Sequence, residues 1–93
     1  MNGPEIRPAL PIVSLDPTVP QSELAGGIEG DVVVEITIDD QGNIVEKTVV
    51  KSLTASIDLR VLAALESWRF RPATKDGMAI PSKQDVFYHF KAN

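Results

Sequence analysis

The 93-residue chain contains no cysteine and only one histidine, His89. Without cysteine it can form no disulfide, no thiolate nucleophile and no thiolate zinc site. Without a second histidine, a metal site centred on His89 has no ligand pattern to support it. The sequence therefore predicts neither a metal site nor a cofactor.

An excess of positive charge is also missing, because nine Lys and Arg residues stand against thirteen Asp and Glu residues, a net charge of −4. Domains that bind nucleic acid or anionic lipid are usually basic, so the charge argues against both partners. No apolar run reaches the roughly 18–20 residues of a membrane span, and no signal-peptide pattern opens the chain. We therefore expect either a cytosolic protein or a domain of a longer envelope protein.

The usual sequence patterns of active sites are absent too. There is no nucleophile elbow, and Gly26-Gly27 precedes an acidic strand start instead of the helix that a phosphate-binding loop requires. The acidic segment 39–43 lacks the spacing of a calcium-binding EF-hand loop and is flanked by strand patterns, which favours a hairpin turn. We therefore predict that the protein is not an enzyme.

Proline is concentrated at one end, since five of the seven prolines lie within the first twenty residues. Such spacing excludes a helix and favours an extended chain. We predict that residues 1–22 are the end of a proline-rich linker or a partly ordered arm, with a fully structured arm as the alternative. The folded domain is then predicted to span residues 23–93.

A β-hairpin is predicted after this segment. Apolar residues alternate with other residues in the first strand, at Val32, Val34, Ile36 and Ile38. Gly42 lies in the acidic turn and can adopt a positive φ. In the second strand, over residues 43–51, Val45 and Val49 are expected on one face, with a possible bulge at Val50.

The period then changes to that of an amphipathic helix. Its predicted apolar stripe consists of Ile57, Val61, Ala64, Leu65 and Trp68. Ser56 is the expected N-cap, Asp58 suits the first turn, and Pro72 is expected to end the helix near Arg71. A turn at residues 75–77 and a final strand over residues 84–91 complete an α+β fold with two layers: a small antiparallel sheet covered by one main helix.

Residues 67–73, with the sequence SWRFRPA, interleave two arginines with two aromatic side chains. Such a stretch is typical either of a nucleic-acid platform or of a helix end locked into a core. The acidic net charge favours the second interpretation. We therefore predict that Trp68 and Phe70 join Val61 and Leu65 in the hydrophobic core.

The final strand is a candidate for partner binding, because a sheet with few strands leaves unpaired backbone groups along its edges. A long, lightly charged edge can accept a strand from a partner. Two alternatives stay open at this point: the strand lies centrally in the sheet, or its edge closes a homodimer.

Several segments together resemble the C-terminal domain of the TonB energy-transducer family, over about residues 20–91. They are the alternating strand from Gly30 to Ile38, Asp40-x-Gly42-x-Ile44, Ile57-Asp58, Trp68-Arg69-Phe70-x-Pro72-Ala73, and the closing Val86 to Phe90. The order and spacing of these pieces carry the resemblance, and the Trp-Arg-Phe-x-Pro-Ala stretch is its strongest element.

The resemblance implies a periplasmic domain of an inner-membrane-anchored protein that acts with an inner-membrane motor complex. It implies pairing with the TonB box, a short peptide of outer-membrane TonB-dependent receptors, along the edge of the last strand. The positions implied are Gln84, Asp85, Val86, Phe87, Tyr88, His89, Phe90 and Lys91. The alternative is a TonB- or TolA-like envelope adaptor or a homodimerising structural module.

Two positions depart from the family pattern. The family often has Tyr-Pro where this chain has Val19-Pro20, which removes an aromatic side chain near the expected partner peptide. Pro81 lies close to the proposed edge and is expected to shorten the strand available for pairing.

Overall fold

The computed structural model describes residues 5–92. In chain order its elements are β1 Ile6–Arg7, β2 Leu10–Val13, a 3₁₀ turn Gln21–Leu24, β3 Glu29–Ile38, β4 Ile44–Lys51, α1 Ala55–Leu65, β5 Arg69–Arg71, β6 Ala73–Lys75, β7 Met78–Ile80 and β8 Ser82–Lys91. None of the helices among the described residues is long and apolar enough to cross a membrane. The first four residues of the predicted linker lie outside the described residues.

The predicted hairpin is confirmed as β3 and β4, which pair antiparallel. The Asp39 carboxylate closes the turn by accepting hydrogen bonds from the backbone N–H groups of Gln41 and Asn43, each at 2.9 Å. The pairing register skips Val50, as predicted, and it also skips Val45. The expectation that Val45 shares a face with Val49 is therefore wrong: this second bulge leaves Val45 62% exposed, while Val49 packs against the core.

The predicted helix is confirmed, but both of its ends differ from the prediction. Thr54 is the N-cap instead of Ser56, since its hydroxyl accepts a hydrogen bond from the N–H of Ile57 at 3.1 Å. At the other end, α1 stops at Leu65, well before Pro72. The chain becomes extended as β5 immediately after Trp68, because residues 69–71 pair with β2. Trp68 therefore lies in the turn after the helix and not on its apolar stripe.

The main sheet has the strand order β4-β3-β8, and α1 covers one of its faces. Alternate residues of β3 point towards the helix because successive side chains of a strand point to opposite faces. Fully buried residues from the two layers form the centre of the core, namely Val32, Val34, Ile36 and Ile38 from β3 and Ile57, Val61 and Leu65 from α1. The predicted α+β fold with two layers is confirmed.

The short strands form two smaller sheets that the sequence did not indicate. β1 pairs with β6, which forms a hairpin with β7, and β2 pairs with β5. The predicted turn at residues 75–77 connects β6 to β7, with positive φ at Asp76 and Gly77. Proline is compatible with this N-terminal arm, since Pro8 lies between its strands and Pro11 lies in an edge strand. The boundary at residue 22 stays a prediction.

Candidate partner-pairing edge

The candidate edge belongs to β8, the last strand of the main sheet. All ten residues of β8 pair with β3 without a register shift, from Ser82 opposite Ile38 to Lys91 opposite Glu29. Among residues 5–92, no strand pairs with the other edge of β8. Pro81 lies immediately before the strand, so the expected shortening does not occur and the whole predicted stretch 84–91 lies within β8.

The main sheet has two edges, and they differ in regularity. β4, at the opposite edge, contains two bulges and carries Lys47 and Lys51. Bulges keep an edge strand from pairing with other chains, whereas lysines do not distinguish the two edges, because β8 also carries Lys83 and Lys91. β8 has no bulge against β3, so its N–H and C=O groups follow one another at regular spacing along the open edge. Of the two edges, β8 is the one suited to accept another strand.

Side chains of β8 alternate between two environments. On the side of the helix, Val86 is buried, while Tyr88 and Phe90 are half-buried and pack against the core. On the opposite face Phe87 is 69% exposed. A strand added beside β8 would therefore meet an aromatic surface on the helix side and an isolated phenylalanine on the open face.

The aromatic surface on the helix side is a continuous cluster of four rings. Trp68 lies 5.8 Å from Phe70 and 6.5 Å from Tyr88, and Tyr88 lies 6.2 Å from Phe90, measured between ring centroids. Separations of this size are those of interacting aromatic pairs. Trp68, which belongs to the strongest element of the TonB resemblance, therefore contacts β8 through Tyr88.

The residues predicted to form the hydrophobic core differ in how far they are buried. Val61, Leu65 and Phe70 are buried, whereas Trp68 is only half-buried. The reason is that Trp68 lies beyond the helix, where its indole N–H donates a 3.0 Å hydrogen bond to the carbonyl of Leu15 in the arm. The backbone N–H of Phe70 donates to the carbonyl of Gly42 at 2.9 Å. Residues 67–73 therefore connect the helix, the hairpin turn and the arm.

Contacts between the arm and this cluster are a feature that the sequence did not reveal. Burial raises the pKa of Tyr88, and the negative charge of Asp16 in the arm raises it further. The Tyr88 hydroxyl is buried and has no hydrogen-bond partner among the described residues. A run of prolines indicates extended chain but not where that chain lies, so nothing in the sequence identified Asp16 as a neighbour of Tyr88.

Ionisable groups at the end of β8 form a small polar cluster on the open face. The Nδ1 atom of His89 lies 2.7 Å from a carboxylate oxygen of Asp31, and its Nε2 atom lies 3.6 Å from Glu29. The hydrogen bond with His89 lowers the pKa of Asp31. No group of three or more side chains within residues 5–92 is arranged to hold a metal ion. The cluster therefore links β3 and β8 through the hydrogen bond between Asp31 and His89.

Comparison with known proteins decides the family. The family described as "Gram-negative bacterial TonB protein C-terminal" matches residues 16–92. The chain belongs to the TonB C-terminal family. A solution NMR structure of the Pseudomonas aeruginosa TonB C-terminal domain matches with a TM-score of 0.69 and 30% identity, covering 89% of this chain and 85% of that one.

Full-length TonB proteins show the same relationship in sequence. Protein TonB of Vibrio cholerae serotype O1 is 33% identical over 86 residues, which cover 91% of this chain and 35% of that protein. Protein TonB of Pseudomonas aeruginosa is 32% identical over 93 residues, which cover 98% of this chain and 26% of that protein. The chain thus spans about a third or less of the length of these relatives, and the region it matches is the TonB C-terminal domain.

Proposed function

We propose that this domain is the partner-binding end of a TonB-like energy transducer. In this proposal the open edge of β8 pairs with the TonB box of an outer-membrane TonB-dependent receptor. The peptide becomes an added strand of the main sheet, and backbone hydrogen bonds supply much of the affinity. The observation that carries the proposal is the regular, unpaired edge of β8 in a member of the TonB C-terminal family.

The proposed role is mechanical and not catalytic. The domain acts in the periplasm, and energy from the inner-membrane motor complex reaches it through a part of the protein outside these 93 residues. A ladder of backbone hydrogen bonds suits this role, because it connects the receptor peptide to β8 and, through β8, to the central strand β3.

The direct test is hydrogen exchange of the β8 amides with and without a TonB-box peptide. Successive N–H groups of a strand point to opposite edges, so we expect new protection at every second residue of 84–91. The remaining amides of β8 are already bonded to β3, and their protection should change little. An absence of new protection or chemical-shift change throughout residues 84–91 would contradict the proposal.

Two neighbouring proline substitutions make the test sharper. The variants Phe87→Pro and Tyr88→Pro each lose one backbone N–H, because proline has none. Successive N–H groups of a strand point to opposite edges, so one variant loses an N–H at the open edge and the other loses an N–H that is bonded to β3. The substitution that removes the outward N–H should abolish peptide binding and leave the far-UV circular dichroism spectrum of the domain unchanged. The inward substitution should destabilise the domain itself. If both variants bind peptide like the parent chain, strand addition at β8 is wrong.

The same edge also supports the alternative of a homodimerising module or a TolA-like adaptor, because a second copy of β8 or another envelope protein could pair with it. Sedimentation with and without TonB-box peptide separates these outcomes. A monomer that binds peptide supports the transducer. A dimer that forms with increasing concentration and ignores peptide supports the alternative.

A further inference from the structure

The open face of β8 carries a row of five side chains that the fold leaves uncovered. They occupy alternate positions, in the order Lys83, Asp85, Phe87, His89 and Lys91, and all five residues are exposed. Phe87 lies at the centre of the row and is the only apolar member. An exposed phenylalanine on a regular edge strand is available to a neighbouring strand, since side chains directly opposite each other in paired strands are in contact.

The two ends of this row differ in charge because of their neighbours on β3. At one end, His89 lies opposite Asp31, to which its ring is hydrogen-bonded, and Lys91 lies opposite Glu29, so a partner carboxylate would meet two acidic neighbours there. At the other end, Lys83 lies opposite the uncharged Thr37. Neither Lys83 nor Lys91 forms an ion pair within the described part of the chain, so the two ends differ in the residues that lie opposite these lysines on β3.

The residue between Lys83 and Phe87 adds a restriction. Asp85 lies opposite Glu35, which places two carboxylates side by side on the open face. Like charges directly opposite each other on paired strands are destabilising. A third carboxylate beside Asp85 would be unfavourable, so negative charge on a partner strand is favoured at Lys83 and disfavoured one pair further along.

We infer that the added strand presents two side chains to this face: an apolar one beside Phe87 and a carboxylate beside Lys83, four residues apart. This inference rests on the proposed function, because it describes which strand the β8 edge accepts. Residues four apart on a strand share a face and lie about 13 Å from each other. The spacing is the same for a parallel and an antiparallel partner, and only the order of the two residues reverses.

The test uses nine-residue synthetic peptides with blocked termini and an alternating threonine–valine host sequence. One pair of peptides carries glutamate and leucine four residues apart on one face, in the two possible orders. Two matched control peptides each carry one change. In one the glutamate is replaced by glutamine, and in the other the leucine is replaced by threonine. Affinities for the full 93-residue chain are measured by calorimetry, and a TonB-box peptide serves as reference.

Phe87→Ser and Lys83→Gln are the test variants. Phe87→Ser should weaken the leucine peptide about two- to fivefold and leave the threonine peptide unchanged, as expected for one cross-strand pair. Lys83→Gln should weaken the glutamate peptide by a similar factor and leave the glutamine peptide unchanged, and added salt should reduce this difference. Leu59→Ser on the exposed side of α1 and Lys75→Gln on β6 are controls that should alter neither affinity.

The outcomes separate the inference from the proposed function. Equal effects of Phe87→Ser and Lys83→Gln on all four peptides would overturn the inference, and so would binding of the TonB-box peptide without binding of either glutamate–leucine peptide. If no peptide binds, including the TonB-box peptide, the proposed function fails and the inference fails with it. Unchanged Trp68 fluorescence in each variant verifies that the fold is retained.

Discussion

At the scale of single residues, Gly42 has the most demanding environment in the hairpin turn. Its φ is +86°, and a Cβ atom there would lie 1.9 Å from the carbonyl oxygen of Phe70. We expect Gly42→Ala to lower the free energy of unfolding by about 2 kcal/mol more than Gly77→Ala, because it adds a clash to the backbone strain. Gly77 is the matched control, since it has a similar φ of +84° and no atom within 4 Å of the added Cβ.

Urea unfolding monitored by Trp68 fluorescence measures both glycine variants. Gly77→Ala should cost only about 1 kcal/mol, which is the penalty for a left-handed alanine. Equal losses in the two variants would mean that the contact between the hairpin turn and Phe70 does not contribute to stability. The connection between residues 67–73 and the turn would then have no energetic role.

Tyr88 offers a second prediction at this scale, because it is the only tyrosine and its absorbance can be titrated without interference from another. Burial is the main cause of its raised pKa and Asp16 is the second. We therefore expect Asp16→Asn to lower the pKa of Tyr88 but to leave it above the ordinary value near 10. Asp40→Asn, which removes the same charge in the hairpin turn, should not change it.

The same shift has a consequence for stability. The folded state disfavours the phenolate, so the contribution of Tyr88 to stability is complete below the unfolded pKa near 10. It is lost as the pH rises through the higher pKa of the folded state. Asp16→Asn should narrow the pH range over which this stability is lost, because it brings the folded-state pKa of Tyr88 closer to the unfolded-state pKa. If the substitution leaves the Tyr88 titration unchanged, the arm does not lie over the aromatic cluster in solution.

At the scale of secondary-structure elements, the sequence was informative where the chain follows a regular period. The alternation at residues 32–38 and the helical spacing from Ile57 to Leu65 predicted β3 and α1, because one face of each element is buried against the other. The helix ends were harder to predict. Thr54 and Ser56 are both suitable caps, and only the tertiary structure distinguishes them: the Ser56 hydroxyl donates a hydrogen bond to Glu23 of the 3₁₀ turn, while the Thr54 hydroxyl accepts one from the N–H of Ile57.

The short strands could not be predicted, since they depend on pairing between distant residues and not on local pattern. β2 is exposed along its length and contains Pro11, so no alternation marks it as a strand and the proline argues against one despite Ile12 and Val13. Its pairing with β5 nevertheless determines that the helix ends at Leu65 and that Trp68 turns towards the arm. The sequence predicted β8 as a strand. That its outer edge is unpaired could be seen only from the strand order of the sheet.

At the scale of the whole molecule, the domain is elongated, with extents of 56 × 25 × 20 Å and a radius of gyration of 15.6 Å. A compact chain of this length would have a radius near 12 Å. The helix-covered sheet contains most of the buried residues. In the three-stranded sheet of β1, β6 and β7, Ala73 is the only buried residue. The two parts therefore differ greatly in how much apolar surface they bury.

This difference predicts two classes of amide in native-state hydrogen exchange. Amides of β6 and β7 should exchange through a local opening of low free energy that depends little on denaturant, because opening that sheet exposes little surface. Amides of β3 should exchange only through global unfolding, with the full dependence on denaturant. Deletion of residues 1–7 should speed exchange in β6 and leave β3 almost unchanged, because it removes β1, which pairs with β6 alone, and keeps β2 and the buried Ala9 in place. If the exchange rates of β3, β6 and β7 all depend on denaturant concentration in the same way, the arm, the small sheet and the main sheet unfold as one cooperative unit.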